Sequence, residues 1–291
     1  MIADSKIMLG DCRTELDSLP TESIQSCITS PPYWGLRNYG TGDEQLGLEP
    51  SPEEYTENMV KVFDGVKRVL KPSGTLWLNL GDTYCGTGDK GDGKDPKHKE
   101  GRNWDGHKAL NNKIDGLKKK DLVGIPWRVA FALQADGWYL RQDIIWSKPN
   151  AMPEPVKDRC TKSHEHIFLL SKSQNYFYDC DAVADTTSAG TRNKRDVWTI
   201  NTQPYKDAHF ATFPEKLIEP CILAGTQTGD TVLDPFTGSG TTGKVSVENS
   251  RNFVGVEINP DYKKLAEGRI NSAQPPLLFN SQNTNTVTKT L

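Results

Sequence analysis

Hydrophobic and polar positions alternate in blocks along most of the chain, switching between the short runs expected of strands and the three-to-four spacing expected of helices. Ser26 to Thr29 is a short apolar run that ends at Ser30-Pro31-Pro32, where two prolines stop any strand and a loop must follow. Ser51 reads as a helix N-cap, with Pro52 at the first helical position and Glu54 completing an S-x-x-E capping pattern. Tyr55, Met59, Val62, Val66 and Leu70 then line one face, which Pro72-Ser73-Gly74 closes. Thr75 to Leu80 predicts a buried strand, Pro126 to Ala135 a helix ended by Gly137, Ile144 to Ser147 a strand, and Ile167 to Leu170 a further apolar run.

The last third repeats the alternation. A helix is expected from Pro214 to Ala224, capped by Gly225, then a strand from Thr231 to Asp234, a helix after Gly240, a strand from Phe253 to Glu257 and a helix from Asp261. Strands alternating with helices predict one α/β domain with a mixed, mostly parallel sheet of about seven strands, covered on both faces. Two polar stretches interrupt it, 83–120 and 174–207, and loops of that length in a compact domain are usually functional or disordered. The chain from 275 to 291 is Asn/Thr-rich and is expected to be a flexible tail, leaving 1–274 as the domain.

Composition adds mainly exclusions. The six cysteines include no C-x-x-C pair, so neither a disulfide framework nor a zinc site is signalled, and no metal is expected. No run approaches the ~20 apolar residues of a membrane span, and the N-terminus lacks a signal-peptide pattern, so a cytoplasmic protein without membrane contact is expected. The net charge of −3 gives no overall attraction to nucleic acid. Any such contact must come from local clusters, and residues 86–121 hold ten Lys or Arg against seven Asp or Glu, a modest excess. Arg192-Asn193-Lys194-Arg195 is a second cluster, with side chains able to read base edges.

Two motifs carry chemistry. In the first, a strand ends at Asp234 and turns through Pro235-Phe236-Thr237-Gly238-Ser239-Gly240-Thr241 into a helix. Glycines let backbone pass close beneath a ligand, and the helix start offers free N–H groups. Glu257 ends the next expected strand, where a carboxylate can accept from both hydroxyls of a ribose, so the group describes an adenosine pocket. Gly238 to Gly243 also reads as G-x-G-x-x-G, the pattern of a nicotinamide dehydrogenase. Against that stand the motif's place near the C-terminus and Asp234, whose charge repels a pyrophosphate but suits a ligand bearing an ammonium and a sulfonium.

The second motif is Ser30-Pro31-Pro32-Tyr33. An exocyclic amine on a nucleobase is a weak nucleophile because its lone pair is conjugated into the ring. Acceptors aimed at its two hydrogens draw it toward tetrahedral geometry, and the Ser30 hydroxyl and Pro31 carbonyl are such acceptors, held by the stiff Pro-Pro backbone. Tyr33 offers a face for stacking an extruded base, although an ordinary proline-rich turn with a buried Tyr would read the same way.

Together, Ser30 to Tyr33 and Asp234 to Thr241 resemble the amino-methyltransferases of DNA, the N4-cytosine and N6-adenine group. The order, catalytic motif first and cofactor motif last, resembles its permuted β class. Gly10-Asp11, the Lys148 to Lys172 stretch and His209 to Pro214 extend the likeness over about residues 7 to 272. The resemblance implies a Rossmann-like domain that uses S-adenosyl-L-methionine and acts on double-stranded DNA; the long polar stretches 83–120 and 174–207, with their clustered Lys and Arg, are then the candidate DNA-recognition insertions. It implies that Asp11 contacts the cofactor's adenine, that Phe236 and Gly238 wall the pocket, that Glu257 holds the ribose, and that Phe210 and Pro214 approach the methionine end. It also implies a restriction-modification setting with a nuclease sharing the site. Ser at the first loop position implies cytosine N4, with adenine N6 the alternative; methylation of RNA or a protein glutamine and a non-catalytic DNA-binding module are further readings.

Two other groups read as structural. Cys160, His164, His166 and Cys180 lack a usual zinc spacing, and Cys221 sits at helical spacing among Leu217, Ile218 and Ile222, as a core residue would.

Overall fold

Ser51 caps its helix as the pattern requires: its side chain accepts from the Glu54 N–H at 3.1 Å, and Tyr55, Met59, Val62 and Val66 are fully buried behind it. The computed structural model describes residues 4–35, 45–86, 114, 116–203 and 213–273. In chain order the elements are β1 (Ser5–Leu9), α1 (Cys12–Glu15), β2 (Ile24–Thr29), α2 (Pro52–Val69), β3 (Leu70–Leu80), α3 (Ile125–Ala135), β4 (Tyr139–Ser147) and β5 (His164–Ser171). The hairpin β6 (Asp185–Thr187) and β7 (Gly190–Arg192) follows, then β8 (Val197–Thr199), α4 (Glu215–Gly225), β9 (Thr231–Asp234), α5 (Thr241–Glu248), β10 (Asn252–Glu257) and α6 (Pro260–Ser272).

The sheet is mixed and mostly parallel, in the order β1-β10-β9-β2-β3-β5-β4-β8. Among the described strands, only β5 runs against both neighbours. One apolar layer joins residues of α2 and α3 with Cys27, Leu76, Leu78 and Leu233; the other joins α4, α5 and α6 with Ile28, Trp77, Val232 and Phe253. Helices therefore cover both faces, as the alternation predicted.

Three details differ from expectation. Among the described residues the sheet has eight strands, because Val197–Thr199, inside one polar stretch, pairs with β4. β1, unmarked by any periodic signal, forms the opposite edge. Pro72-Ser73-Gly74 does not separate helix from strand: the helix ends at Val69, and β3 begins at Leu70. Between the pairs Ile24↔Leu70 and Ser26↔Thr75, β2 advances two residues and β3 five, so the prolyl segment is absorbed as a bulge.

Candidate functional site

From β9 the chain runs to β10 on one side, and from β2 to β3 on the other, so the direction of winding reverses between β9 and β2. A crevice opens at the carboxyl ends of such strands, and both sequence motifs emerge there. Thr29, the last residue of β2, donates from its hydroxyl to Asp234 Oδ1 at 2.6 Å, and Thr242 donates to Asp234 Oδ2 at 2.8 Å. Asp234 is thus a buried strut between the two loops, with burial pushing its pKa up to about 6 against these hydrogen bonds.

Beyond Asp234 the loop turns back on itself. Gly238 (φ 52°) and Gly240 (φ 80°) both take the left-handed conformation. A Cβ at Gly240 would lie 2.8 Å from Ala266 Cβ, so this glycine packs the loop onto α6. At Gly238 the nearest atom would be the Phe236 carbonyl oxygen at 3.8 Å, so that side is open. The Gly238 N–H donates to Glu257 Oε2 at 2.7 Å, and the Asn259 N–H to Oε1 at 2.9 Å. Burial raises the Glu257 pKa, opposed by these N–H groups, and an ionised carboxylate here keeps two acceptor directions unused by them.

Other expected cofactor residues gather around the same loop. Pro235 is buried, and half-buried Phe236 packs on the α2–α3 layer. Ser239 and Thr241 are buried, and the Arg269 guanidinium of α6 reaches both, donating to the Ser239 carbonyl and hydroxyl at 2.9 and 2.8 Å and to the Thr241 hydroxyl at 3.3 Å. Arg269 also pairs with Glu215, which brings the start of α4, with Pro214 as its N-cap, beside the loop. Asp11 follows β1, next to Glu257 in the sheet. Its carboxylate caps α1 by accepting from the Arg13 N–H and pairs with the Arg13 side chain; burial opposes ionisation, but Arg13 outweighs it and holds the pKa below the ordinary value. Phe210 lies outside the described residues. An open glycine turn over a buried carboxylate, facing a helix start, fits an adenosyl cofactor.

The Ser30-Pro31-Pro32-Tyr33 loop is held from below and from the side. Tyr55 of α2 donates to the Pro32 carbonyl at 3.0 Å, and the Trp34 indole N–H to the Glu49 carbonyl at 2.8 Å. Tyr33 lies against Gly81, where a Cβ would come within 2.7 Å of its ring. Its hydroxyl is within 3.2 Å of Ser30 Oγ, 3.0 Å of Asn79 Oδ1 and 2.8 Å of Glu165 Oε2. Burial, with the nearby Glu165 charge adding to it, pushes the phenol well above its ordinary pKa, so it stays protonated.

A family model for DNA methylases of the N6/N4 kind matches residues 24–268. The chain belongs to this family. It is 53% identical over 262 residues to the Type II methyltransferase M.Cfr9I of Citrobacter freundii, covering 90% of this chain and 86% of that one. It is 50% identical over 271 residues to M.SmaI of Serratia marcescens, covering 91% and 90%. Two solved structures share the fold: the cytosine-N4-specific PvuII DNA methyltransferase (TM-score 0.69, 23% identity, 92% and 87% covered) and a DNA modification methylase of Thermus thermophilus complexed with S-adenosyl-L-methionine (0.61, 23%, 93% and 95%).

In this DNA methylase the strand ends also gather charged residues to which the sequence assigned no individual role. Lys148 leaves β4 and pairs with Glu165 at the start of β5, beside Tyr33. The β4–β5 connection carries Lys157, Arg159 and Lys162, and Lys120 reaches it by pairing with Asp158 at 2.5 Å. The stems of the 83–120 stretch meet there, with the Cys85 N–H donating to the Asp121 carbonyl at 2.8 Å; residues 87–113 and 115 lie outside the described residues.

The 174–207 stretch is divided. Because β5 runs antiparallel, the chain leaves it at the far end, where the Phe177 N–H donates to the Ser73 carbonyl and the Asp179 N–H to the Ala224 carbonyl. Arg192 and Lys194 both pair with Asp185. Among the described residues, β8 carries the chain back, and Thr202 reaches the Lys148 side through Asn150. Cys160 and Cys180 fall at opposite ends of β5, and Cys221 is buried in α4, where burial pushes its thiol up.

Proposed function

We propose that this methylase is a Type II enzyme that transfers a methyl group from S-adenosyl-L-methionine to the exocyclic N4 of cytosine in double-stranded DNA. The observation that carries the reading is the junction of Ser30-Pro31-Pro32-Tyr33 with the glycine loop through Thr29 and Asp234, which supports reading Ser30 and Pro31 as amine acceptors next to an adenosyl pocket. The cofactor supplies an electrophilic methyl on a sulfonium. The target base is turned out of the duplex, since its amino group is otherwise paired and stacked. Ser30 Oγ and the Pro31 carbonyl accept the two amino hydrogens and localise the nitrogen lone pair. The new N–C bond forms as the C–S bond breaks; sulfur keeps that electron pair and becomes a neutral thioether, and one amino proton leaves to solvent. The remaining contribution is positioning.

Cytosine is favoured over adenine by Ser30, which in the resemblance marks cytosine enzymes, and by the cytosine-N4-specific name of the PvuII neighbour. Adenine N6 is the second reading, because either base presents a conjugated amine to the same acceptors. The Type II relatives support a restriction-modification setting; a nuclease acting on the same site, with both proteins in the cytoplasm, belongs to the same proposal. Phe210 belongs to this proposal as a residue near the methionine end. Labelled methyl transfer tests the substrate class: duplex DNA takes up label, while RNA and peptides remain at background. Label entering RNA or peptide in preference to duplex DNA contradicts the proposal.

A further inference from the structure

The Tyr33 hydroxyl has one proton and three polar neighbours. Two of them, Glu165 Oε2 at 2.8 Å and Asn79 Oδ1 at 3.0 Å, are acceptors. Asn79 is fixed in that sense, since its amide nitrogen donates to Glu165 Oε2 at 3.2 Å and to the His166 carbonyl at 3.0 Å, which turns the amide oxygen to Tyr33. Glu165 is held as a charged acceptor by Lys148, both side chains being about five-sixths covered (16% and 15% exposed). The phenol proton therefore points away from Ser30.

The consequence falls on Ser30. Its Oγ lies 3.2 Å from the Tyr33 oxygen, which has given its proton elsewhere and can only accept. The Ser30 proton is drawn there, and the serine lone pairs are left for a hydrogen from the target amine. Were the serine proton turned the other way, it would meet the amino hydrogens donor against donor.

We propose that Glu165, set by Lys148, is a positioning residue that fixes the direction of the hydrogen bonds through Tyr33 and so makes Ser30 an acceptor. The inference rests on the assignment of Ser30 as an amine acceptor. Glu165→Gln keeps the shape but loses the charge, the pairing with Lys148 and the fixed direction, because a carboxamide can donate to Tyr33 as well as accept.

The test is a double-mutant cycle on the single-turnover methyl-transfer rate at saturating DNA and cofactor. Glu165→Gln is expected to slow transfer about 10- to 100-fold, with cofactor affinity near wild type and a melting temperature lowered by the loss of the covered ion pair with Lys148. In a Ser30→Ala background the same change is expected to alter the rate by no more than about 2-fold. An equal loss in both backgrounds overturns the proposal, as does a wild-type rate for Glu165→Gln when Ser30→Ala is slow. A wild-type rate for Ser30→Ala overturns the acceptor role itself, a separate result. If Glu165→Gln fails to fold, Tyr33→Phe cuts the link while leaving the ion pair: its loss is likewise expected to vanish without Ser30, and an additive loss overturns the proposal.

Discussion

The Thr29 hydroxyl donates to Asp234 Oδ1 at 2.6 Å, across 205 residues of sequence. Ser30 follows Thr29, and Pro235 begins the glycine loop, so this bond fixes the two motifs to each other at the point where the sheet winding reverses. In-line transfer depends on placing the acceptor of the methyl and its donor within a fraction of an ångström, and a buried charge-assisted bond between adjacent strand ends supplies such rigidity.

The protonation of that strut gives a pH-dependent stability. Burial raises the Asp234 pKa in the fold from 3.8 to about 6, with Thr29, Thr242 and Phe236 pulling the other way. A raised pKa means the fold holds the proton more tightly than the unfolded chain does. The stabilisation is full below the unfolded value and is lost as the pH rises through about 6. Wild type is expected to gain stability over Asp234→Asn as the pH is lowered from about 7.5 to 5, within a full span on the order of 2 to 3 kcal/mol. Urea unfolding of both proteins across that range checks it, and a constant difference contradicts it.

The two loop glycines separate fold from cofactor. Gly240→Val forces a Cβ into Ala266 at a left-handed position, so it is expected to lower the melting temperature sharply. Gly238→Val carries the backbone strain, about 1 to 2 kcal/mol, but meets open space in the protein. It is expected to stay folded and lose S-adenosyl-L-methionine binding by calorimetry. Unchanged affinity in folded Gly238→Val protein contradicts the placement of the cofactor.

Lys118, Lys119 and Lys120 are carried at the stem of the 83–120 stretch, and Lys120 reaches the β4–β5 connection. Replacing all three with Ala is expected to weaken binding alike across DNA sequences and to reduce the salt slope by up to about 3, roughly one for each phosphate left without its lysine. Titrations at several salt concentrations read this directly. An unaltered slope places this stem away from DNA.

Both motifs were readable in the chain because their chemistry is local. A strand end, a glycine turn and a helix start are contiguous from Thr231 to Glu248, and β9 matches the expected strand residue for residue. What escaped depends on pairing between distant segments. Glu165 and Arg269 look like ordinary charged positions on a strand and a helix, and only the order of strands and the packing of α6 bring them to Tyr33 and Ser239. The direction of β5 has no sequence marker, so nothing foretold that the chain after Ser171 begins at the end of the sheet away from the site. The short β1 and β8 gain their places by completing sheet edges, which a run of three to five residues does not announce.

The most direct measurement of the central claim is the identity of the methylated nucleoside. Unmodified duplex DNA is treated with purified protein and S-adenosyl-L-methionine, digested and resolved by mass spectrometry against N4-methylcytosine, N6-methyladenine and 5-methylcytosine standards. N4-methylcytosine as the main product is the predicted result. N6-methyladenine overturns the choice of base while keeping the amine-directed mechanism. 5-Methylcytosine contradicts the account as a whole, because methylation at carbon calls for a covalent nucleophile where Ser30 and Pro31 present only acceptors.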